Sequence, residues 1–159
     1  MNLTSKLQSN PVIKKLKNSG ISGLEEVRDQ NGLLCLTISV ASLINCAKFL
    51  RDDSDLNFNF LSDVTCVDHF PCEPRFELVY RLRSIPKGSE LQISVRVSGS
   101  SAKVKSLVSL WPSANASERE VHDLFGVEFQ GHPNLSRMLL PEDWKGHPLR
   151  KDYPVEGSE

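Results

Sequence analysis

Residues 76–97 read FELVYRLRSIPKGSELQISVRV. Phe76, Leu78, Tyr80 and Leu82 alternate with Glu77, Arg81 and Arg83, and Leu91, Ile93, Val95 and Val97 alternate with Gln92, Ser94 and Arg96. A period of two puts each apolar set on one side of a strand. Between the runs, Pro86-Lys87-Gly88-Ser89 combines a fixed-φ residue with a permissive one and reads as a turn. Two strands with one apolar and one solvated face belong to an antiparallel sheet covered on one side only.

The flanks extend that sheet. Upstream, residues 61–70 read as a strand with Val64, Cys66, Asp68 and Phe70 on one face, so its faces are not cleanly apolar and polar. Nearer the N-terminus, Asp29-Gln-Asn-Gly32 separates Leu24–Val27 from Leu34–Val40, and Asn-Gly is a strong hairpin signal. Then the period changes. Leu43, Cys46, Ala47 and Leu50 form a helical stripe with Ser39 or Ser42 as its cap, and the polar residues 51–57 read as a loop. Downstream, Val104, Leu107, Val108 and Trp111 stand at i, i+3, i+4 and i+7, which predicts a helix that Pro112 stops. Ser117-x-x-Glu120 is a capping box, so a further helix is expected to begin at Glu118 and to end at Gly126. That start would put Glu118 and Glu120 in the first turn. The reading is α+β: a single two-layer domain, residues 1–159, with a mostly antiparallel sheet covered by helices on one face, plus an irregular C-terminal tail. Its core is expected over about residues 20–126, with an extended docking segment over about 127–159.

The totals exclude several functions. Lys plus Arg number 19 and Asp plus Glu 20, a formal charge of −1. That balance argues against nucleic acid as a partner held by bulk electrostatics. No apolar run reaches the ~20 residues of a membrane span, so contact with a membrane is expected only through a partner. The N-terminus lacks a secretory h-region. Its Lys6, Lys14, Lys15 and Lys17 faintly resemble a transit peptide, but Pro11 interrupts an amphipathic helix, and a frayed surface helix is the preferred reading. Cys66, His69 and Cys72 lie within seven residues. A strand would place Cys66 and His69 on opposite faces, so Cys66 is read as a small buried apolar residue and not as a metal ligand.

The last quarter, residues 118–154, holds His122, His132 and His147, and Gly-His-Pro occurs in it twice. Val121, Leu124 and Phe125 are expected to face inward, with Arg119–Asp123 and Glu118–His122 as i, i+4 neighbours. Glu118 with the three histidines is no recognised ligand spacing. Proline after His132 and His147 holds each in an extended conformation that suits a hydrogen bond to backbone. Arg137, Lys145, Arg150 and Lys151 mix with Glu142, Asp143 and Asp152 and with Met138, Leu139, Leu140, Trp144 and Tyr153. That is the composition of a protein interface.

Glu118-Arg119-Glu120-x-x-Asp123-Leu-Phe-Gly126, then Gly131-His132-Pro133-x-Leu135 and Arg137, resembles the signature of the thirty-kilodalton subunit of respiratory complex I, also called the C subunit of the proton-pumping NADH:quinone oxidoreductase. The run from Leu140-Pro141-Glu142-Asp143-Trp144 through Gly146-His147-Pro148-Leu149-Arg150-Lys151-Asp152-Tyr153-Pro154 is similar to the family's C-terminal run. The resemblance covers about residues 61–154. Ser136 stands where the family often has a basic residue, which puts one charged contact in question. The first sixty residues match weakly and are left without a role.

The resemblance implies a subunit with no redox centre, cofactor or metal of its own, flavin (FMN) and iron–sulfur clusters being held by other subunits. It implies docking on the hydrogenase-like D subunit, near the iron–sulfur B and I subunits, at the cytoplasmic face of a bacterial inner membrane and not the mitochondrial matrix side. The motif residues are carried over as interface residues, with no catalytic role. A homologous subunit of a ferredoxin-, F420H2- or hydrogenase-linked complex is the alternative within this class. A stand-alone metallohydrolase using His122, His132 and His147 is the alternative from another.

Overall fold

Asn31 and Gly32 both take positive φ (54° and 89°), and Asp29 Oδ1 accepts from the Gly32 N–H at 2.8 Å. That two-residue turn matches the twist of paired strands and closes the first hairpin, β1 (Leu24–Gln30) with β2 (Leu33–Ile38). The computed structural model describes residues 9–154. Within them α1 (Pro11–Asn18) precedes the hairpin and α2 (Leu43–Asp52) follows it. Then come β3 (Phe60–Asp68), β4 (Phe76–Ser84), β5 (Ser89–Val97), the short β6 (Lys103–Lys105), α3 (Ala114–Phe125) and β7 (Glu128–Gln130).

The large sheet has the order β1-β2-β5-β4-β3. Every pairing in it is antiparallel except β2 with β5, where Leu36 lies opposite Ile93. The alternation over residues 76–97 holds: Phe76, Leu78, Tyr80, Leu82, Leu91, Ile93, Val95 and Val97 are all buried in one core. Leu43, Cys46, Ala47 and Leu50 of α2, with Ala114, Val121 and Phe125 of α3, join that core. The mostly antiparallel two-layer reading therefore stands.

Several expectations are corrected. Ser9 is helical and Asn10 is not, so the chain does break at this point, and Pro11 then starts a helix of its own. At the first helical position it gives up no hydrogen bond, Asn10 caps it, and Ile13 and Leu16 are buried. Lys6 lies outside the described residues. The core thus includes residues before 20, and it includes Val127 and Phe129 after 126. Residues 127–130 belong to the body, because β7 pairs in parallel with β6. The irregular tail begins at Gly131, and of the expected docking segment residues 155–159 lie outside the described residues.

The expected helix over 104–111 is absent. Val104 lies in β6 opposite Phe129, while Leu107 and Trp111 are buried from a turn. Pairing of Lys103–Lys105 with Glu128–Gln130 holds the start of that stretch extended, and the Ser106 N–H to Gln130 O and the Leu107 N–H to Glu118 fix the turn beyond it. The last helix begins at Ala114 rather than Glu118. Ser117 and Glu120 are inside it, and Glu118 is on its buried face instead of its first turn. Phe70 lies beyond β3 and is 44% exposed, so it does not share the buried face of Val64 and Cys66.

Candidate functional site

A helix leaves its last four carbonyls without partners inside the helix. In α3 every one is satisfied from outside. His122 O accepts from the Gly126 N–H (2.9 Å), and Leu124 O from the Leu149 N–H (3.1 Å). Phe125 O accepts from Arg150 Nε (2.6 Å). Asp123 O accepts from His147 Nδ1 (2.9 Å) and from Arg137 Nη1 (3.3 Å). Residues 137–150 therefore wrap the end of α3, and two arginines sit at its negative pole.

Gly126 makes the wrap possible. Its φ is +73°, and a Cβ there would collide with His147 Nε2 and Arg150 Nη2. Gly126→Ala should lose about 2 kcal/mol, from left-handed backbone strain plus displacement of both side chains. Thermal unfolding of the variant measures it.

Asp123 is the centre of the wrap. It is fully buried, yet Oδ2 accepts from the N–H groups of Met138, Leu139 and Leu140 at 2.8–3.0 Å, and Oδ1 from Arg137 Nη1 at 2.7 Å. Burial pushes its carboxyl up, but the three N–H groups and the guanidinium outweigh that and bring it down to about 2. Arg137 Nη2 also donates to Gly146 O, and Arg119 holds Ser136 O, Ser136 Oγ and Arg137 O. Arg119 thus serves the tail rather than its i, i+4 neighbour Asp123. The hydroxyl of Ser136 takes one of those contacts.

A second anchor lies on the sheet. The Arg75 guanidinium grips Asp68 through Nε (2.9 Å) and Nη2 (2.8 Å), and Asp152 through Nη1 (2.8 Å) and Nη2 (2.6 Å). Rings of Phe70 and Phe76 each lie 4.9 Å from its carbon. Asp68 also accepts from the Lys151 N–H. Arg75, foremost, keeps the Asp68 carboxyl well below the usual range despite burial. Arg150 crosses the Phe76 ring at 5.3 Å.

The histidines meet backbone, and for His132 and His147 the Gly-His-Pro reading expects it. His122 Nδ1 donates to Val127 O, His132 Nε2 to Asn115 O and His147 Nδ1 to Asp123 O. Burial pulls the pKa of His147 down, consistent with a neutral ring. Among the described residues no group of three His, Cys, Asp or Glu side chains is arranged to hold a metal ion, so the metallohydrolase alternative lacks its cluster. Glu118 is not beside His122 as a partner. It is fully buried, accepting from Ser106 Oγ (2.6 Å) and the Leu107 N–H (2.7 Å), and burial pushes it up to about 7. Cys66 is buried, and burial pushes its thiol up to about 12. His69 turns to Glu77 instead.

The remaining motif residues lie at or near the surface. Glu120, Pro133, Lys151 and Asp152 are exposed, and Pro148 and Tyr153 are half-buried. Met138, Leu139, Trp144 and Leu149 expose 40–56% of their surface although they are large and apolar. The segment thus binds its own body through polar groups and turns apolar side chains to the outside. Arg75, Phe76 and Ser106 were not legible as site residues. The one sequence signal was Asp68, a carboxylate on an otherwise apolar strand face.

The profile of the respiratory-chain NADH dehydrogenase 30 Kd subunit matches residues 36–159. The chain belongs to this family. The match begins well before residue 61, so α2 and the end of β2 are part of the family domain. The C subunit of the NADH-quinone oxidoreductase of Citrifermentans bemidjiense is 40% identical over 152 residues, covering 96% of this chain and 93% of that one. Its counterpart in Roseiflexus sp. strain RS-1 is 44% identical over 156 residues, covering 96% and 88%. Among solved structures, the trypsin-resistant fragment (1–134) of Nqo5 is similar at 31% identity and a TM-score of 0.65, over 78% of this chain and 96% of that fragment. A chain of the membrane-bound sulfane sulfur reductase, an archaeal respiratory membrane complex, is similar at 26% identity and a TM-score of 0.70, over 91% and 84%. The chain is thus a homologue of that 30 Kd subunit. Among its described residues no helix is long and apolar enough to cross a membrane.

Proposed function

We propose that this chain is a non-redox structural and assembly subunit in the hydrophilic arm of a proton-pumping NADH:quinone oxidoreductase. It binds no flavin or iron–sulfur cluster itself; those belong to other subunits, and the complex transfers electrons from NADH to quinone. Residues 131–154 dock on the hydrogenase-like D subunit, with the B and I subunits nearby. The chain is peripheral, reaching the cytoplasmic face of a bacterial inner membrane through the complex.

One observation carries this reading. Met138, Leu139, Trp144 and Leu149 are held outward on a segment that Arg137 and Arg150 tie to its own body. Large apolar groups fixed in place at a surface are what an interface uses for its anchors. Arg150, whose motif place suggests a partner contact, turns inward to Phe125 O and Phe76. It supports the surface and does not form it.

Co-expression with the cognate hydrogenase-like subunit should yield a stable pair. Trp144→Ala should weaken that pair about tenfold and leave the melting temperature within a degree or two, as expected of an exposed hot-spot aromatic. Failure to recover any pair with wild-type chain would sink the reading. The similarity to a chain of the archaeal sulfane sulfur reductase complex supports a second reading, in which the same docking serves a ferredoxin- or hydrogenase-linked relative. Recovery of the native complex with its electron-input module separates the two.

A further inference from the structure

Arg75 stands out because its guanidinium serves two carboxylates and lies over two aromatic rings. One edge of its fork takes Asp68, which is only 2% exposed, and the other takes Asp152, which is 42% exposed. The rings of Phe70 and Phe76 each pack against it, 4.9 Å from its carbon. A guanidinium held in this way loses little freedom when it accepts a second carboxylate, because its plane and orientation are already set. Asp68 does the same for backbone. While gripped by Arg75, its Oδ2 accepts from the Lys151 N–H at 2.9 Å. The ties from residues 137–150 run to the end of α3, whereas those from Lys151 and Asp152 run to the connection between β3 and β4. The tail is thus fixed at two places far apart in sequence.

We propose that Arg75 is a positioning residue, the latch that fastens the far end of the tail to the β3–β4 connection. By closing that end it holds Trp144 and Leu149 as a rigid face instead of a loose loop. The latch itself is intramolecular; its consequence for docking rests on the reading of residues 131–154 as the docking segment. A Lys at this position could not serve two carboxylates in fork geometry, which is why the residue type matters.

The test uses the full chain with Asp152→Asn and, separately, Arg75→Ala. Asp152→Asn changes a surface side chain and leaves the buried Asp68 its partner, so the body stays folded. In both variants, exchange of the Lys151 amide and tryptic cleavage after Arg150 should rise about tenfold, because both follow the population of the open tail. In Asp152→Asn the melting temperature should not move, and pairing with the hydrogenase-like subunit should weaken several-fold. Exchange and cleavage at wild-type rates in both variants would overturn the latch. Faster exchange and cleavage with undiminished pairing would uphold the latch and refute docking through the tail.

Discussion

Asp123→Ala is expected to remove about 3–5 kcal/mol of stability and to lower the melting temperature by about 10 °C. Four donors converge on this fully buried carboxylate: the N–H groups of Met138, Leu139 and Leu140, and Arg137 Nη1. Truncation leaves all four facing a void, one of them a cation. Asparagine does little better, since its amide NH₂ would confront donors wherever it pointed. Removing Arg137 as well, in Asp123→Ala with Arg137→Met, should restore part of the loss because the uncompensated cation is gone. The acid limb gives an independent check. The Asp123 carboxyl lies at about 2 in the folded chain against an ordinary 3.8, so the unfolded state binds more protons between these values. Its stabilisation is complete above about pH 4 and is lost as the pH falls toward 2. Asp68, lowered by Arg75, has the same sign. Urea unfolding from about pH 2 to about pH 6 should show a shallower acid limb in Asp123→Ala. Equal stability of variant and wild type would mean the wrap around α3 contributes nothing.

The sheet was legible because its code is local. Period-two alternation over residues 76–97 and Asn31-Gly32 each act on neighbours in sequence, and no tertiary contact overrides them. The C-terminal histidines were legible for a similar reason, since proline fixes the residue before it in an extended form. The misreading of residues 104–111 has the opposite cause. Spacing i, i+3, i+4 and i+7 fits a helix, but Lys103–Lys105 are held extended by Glu128–Gln130, and the turn that follows is tied to Gln130 and Glu118. Those partners are distant in sequence, and the pattern contains no trace of them. The capping box failed likewise, because Ser113 and Ala114 start the helix one turn earlier.

The site divides along the same line. The motif residues 118–154 marked the segment, yet what anchors it on the sheet is Arg75 with Asp68, across 77 residues of chain from Arg75 to Asp152. Arg75 follows no periodicity. It sits in a connection rich in proline, where an arginine reads as an ordinary surface charge. Only the fold brings Phe70, Phe76 and two carboxylates around it. The interface-like composition of the segment was therefore readable, while its mechanical support was not.

Glu118 carries the other large expected effect, and its sign is opposite to that of Asp123. It is fully buried with no cation beside it, and only the Ser106 hydroxyl and Leu107 N–H face its oxygens. The titratable group that feels its charge from the sheet is Tyr80, whose buried hydroxyl has no partner among the described residues and is itself raised by burial and by Glu118. Burial lifts the Glu118 carboxyl from an ordinary 4.5 to about 7. The folded chain therefore holds a proton that the unfolded chain has released, and stability falls as the pH rises from about 4.5 to about 7, then levels. The loss over that window is on the order of 3 kcal/mol. Glu118→Gln keeps an acceptor for Leu107 and a donor or acceptor for Ser106, without a charge to bury. It should match wild type near pH 5, exceed it by roughly 3 kcal/mol at about pH 8, and show no slope between. Glu118→Ala should instead lose about 3 kcal/mol at about pH 5, from an unpaired amide, an unpaired hydroxyl and a cavity. Urea unfolding at about pH 5, 6.5 and 8 decides it. Parallel curves for wild type and Glu118→Gln would show that the carboxyl does not change charge in this range, and that Ser106 and Leu107 suffice to keep it ionised inside the core.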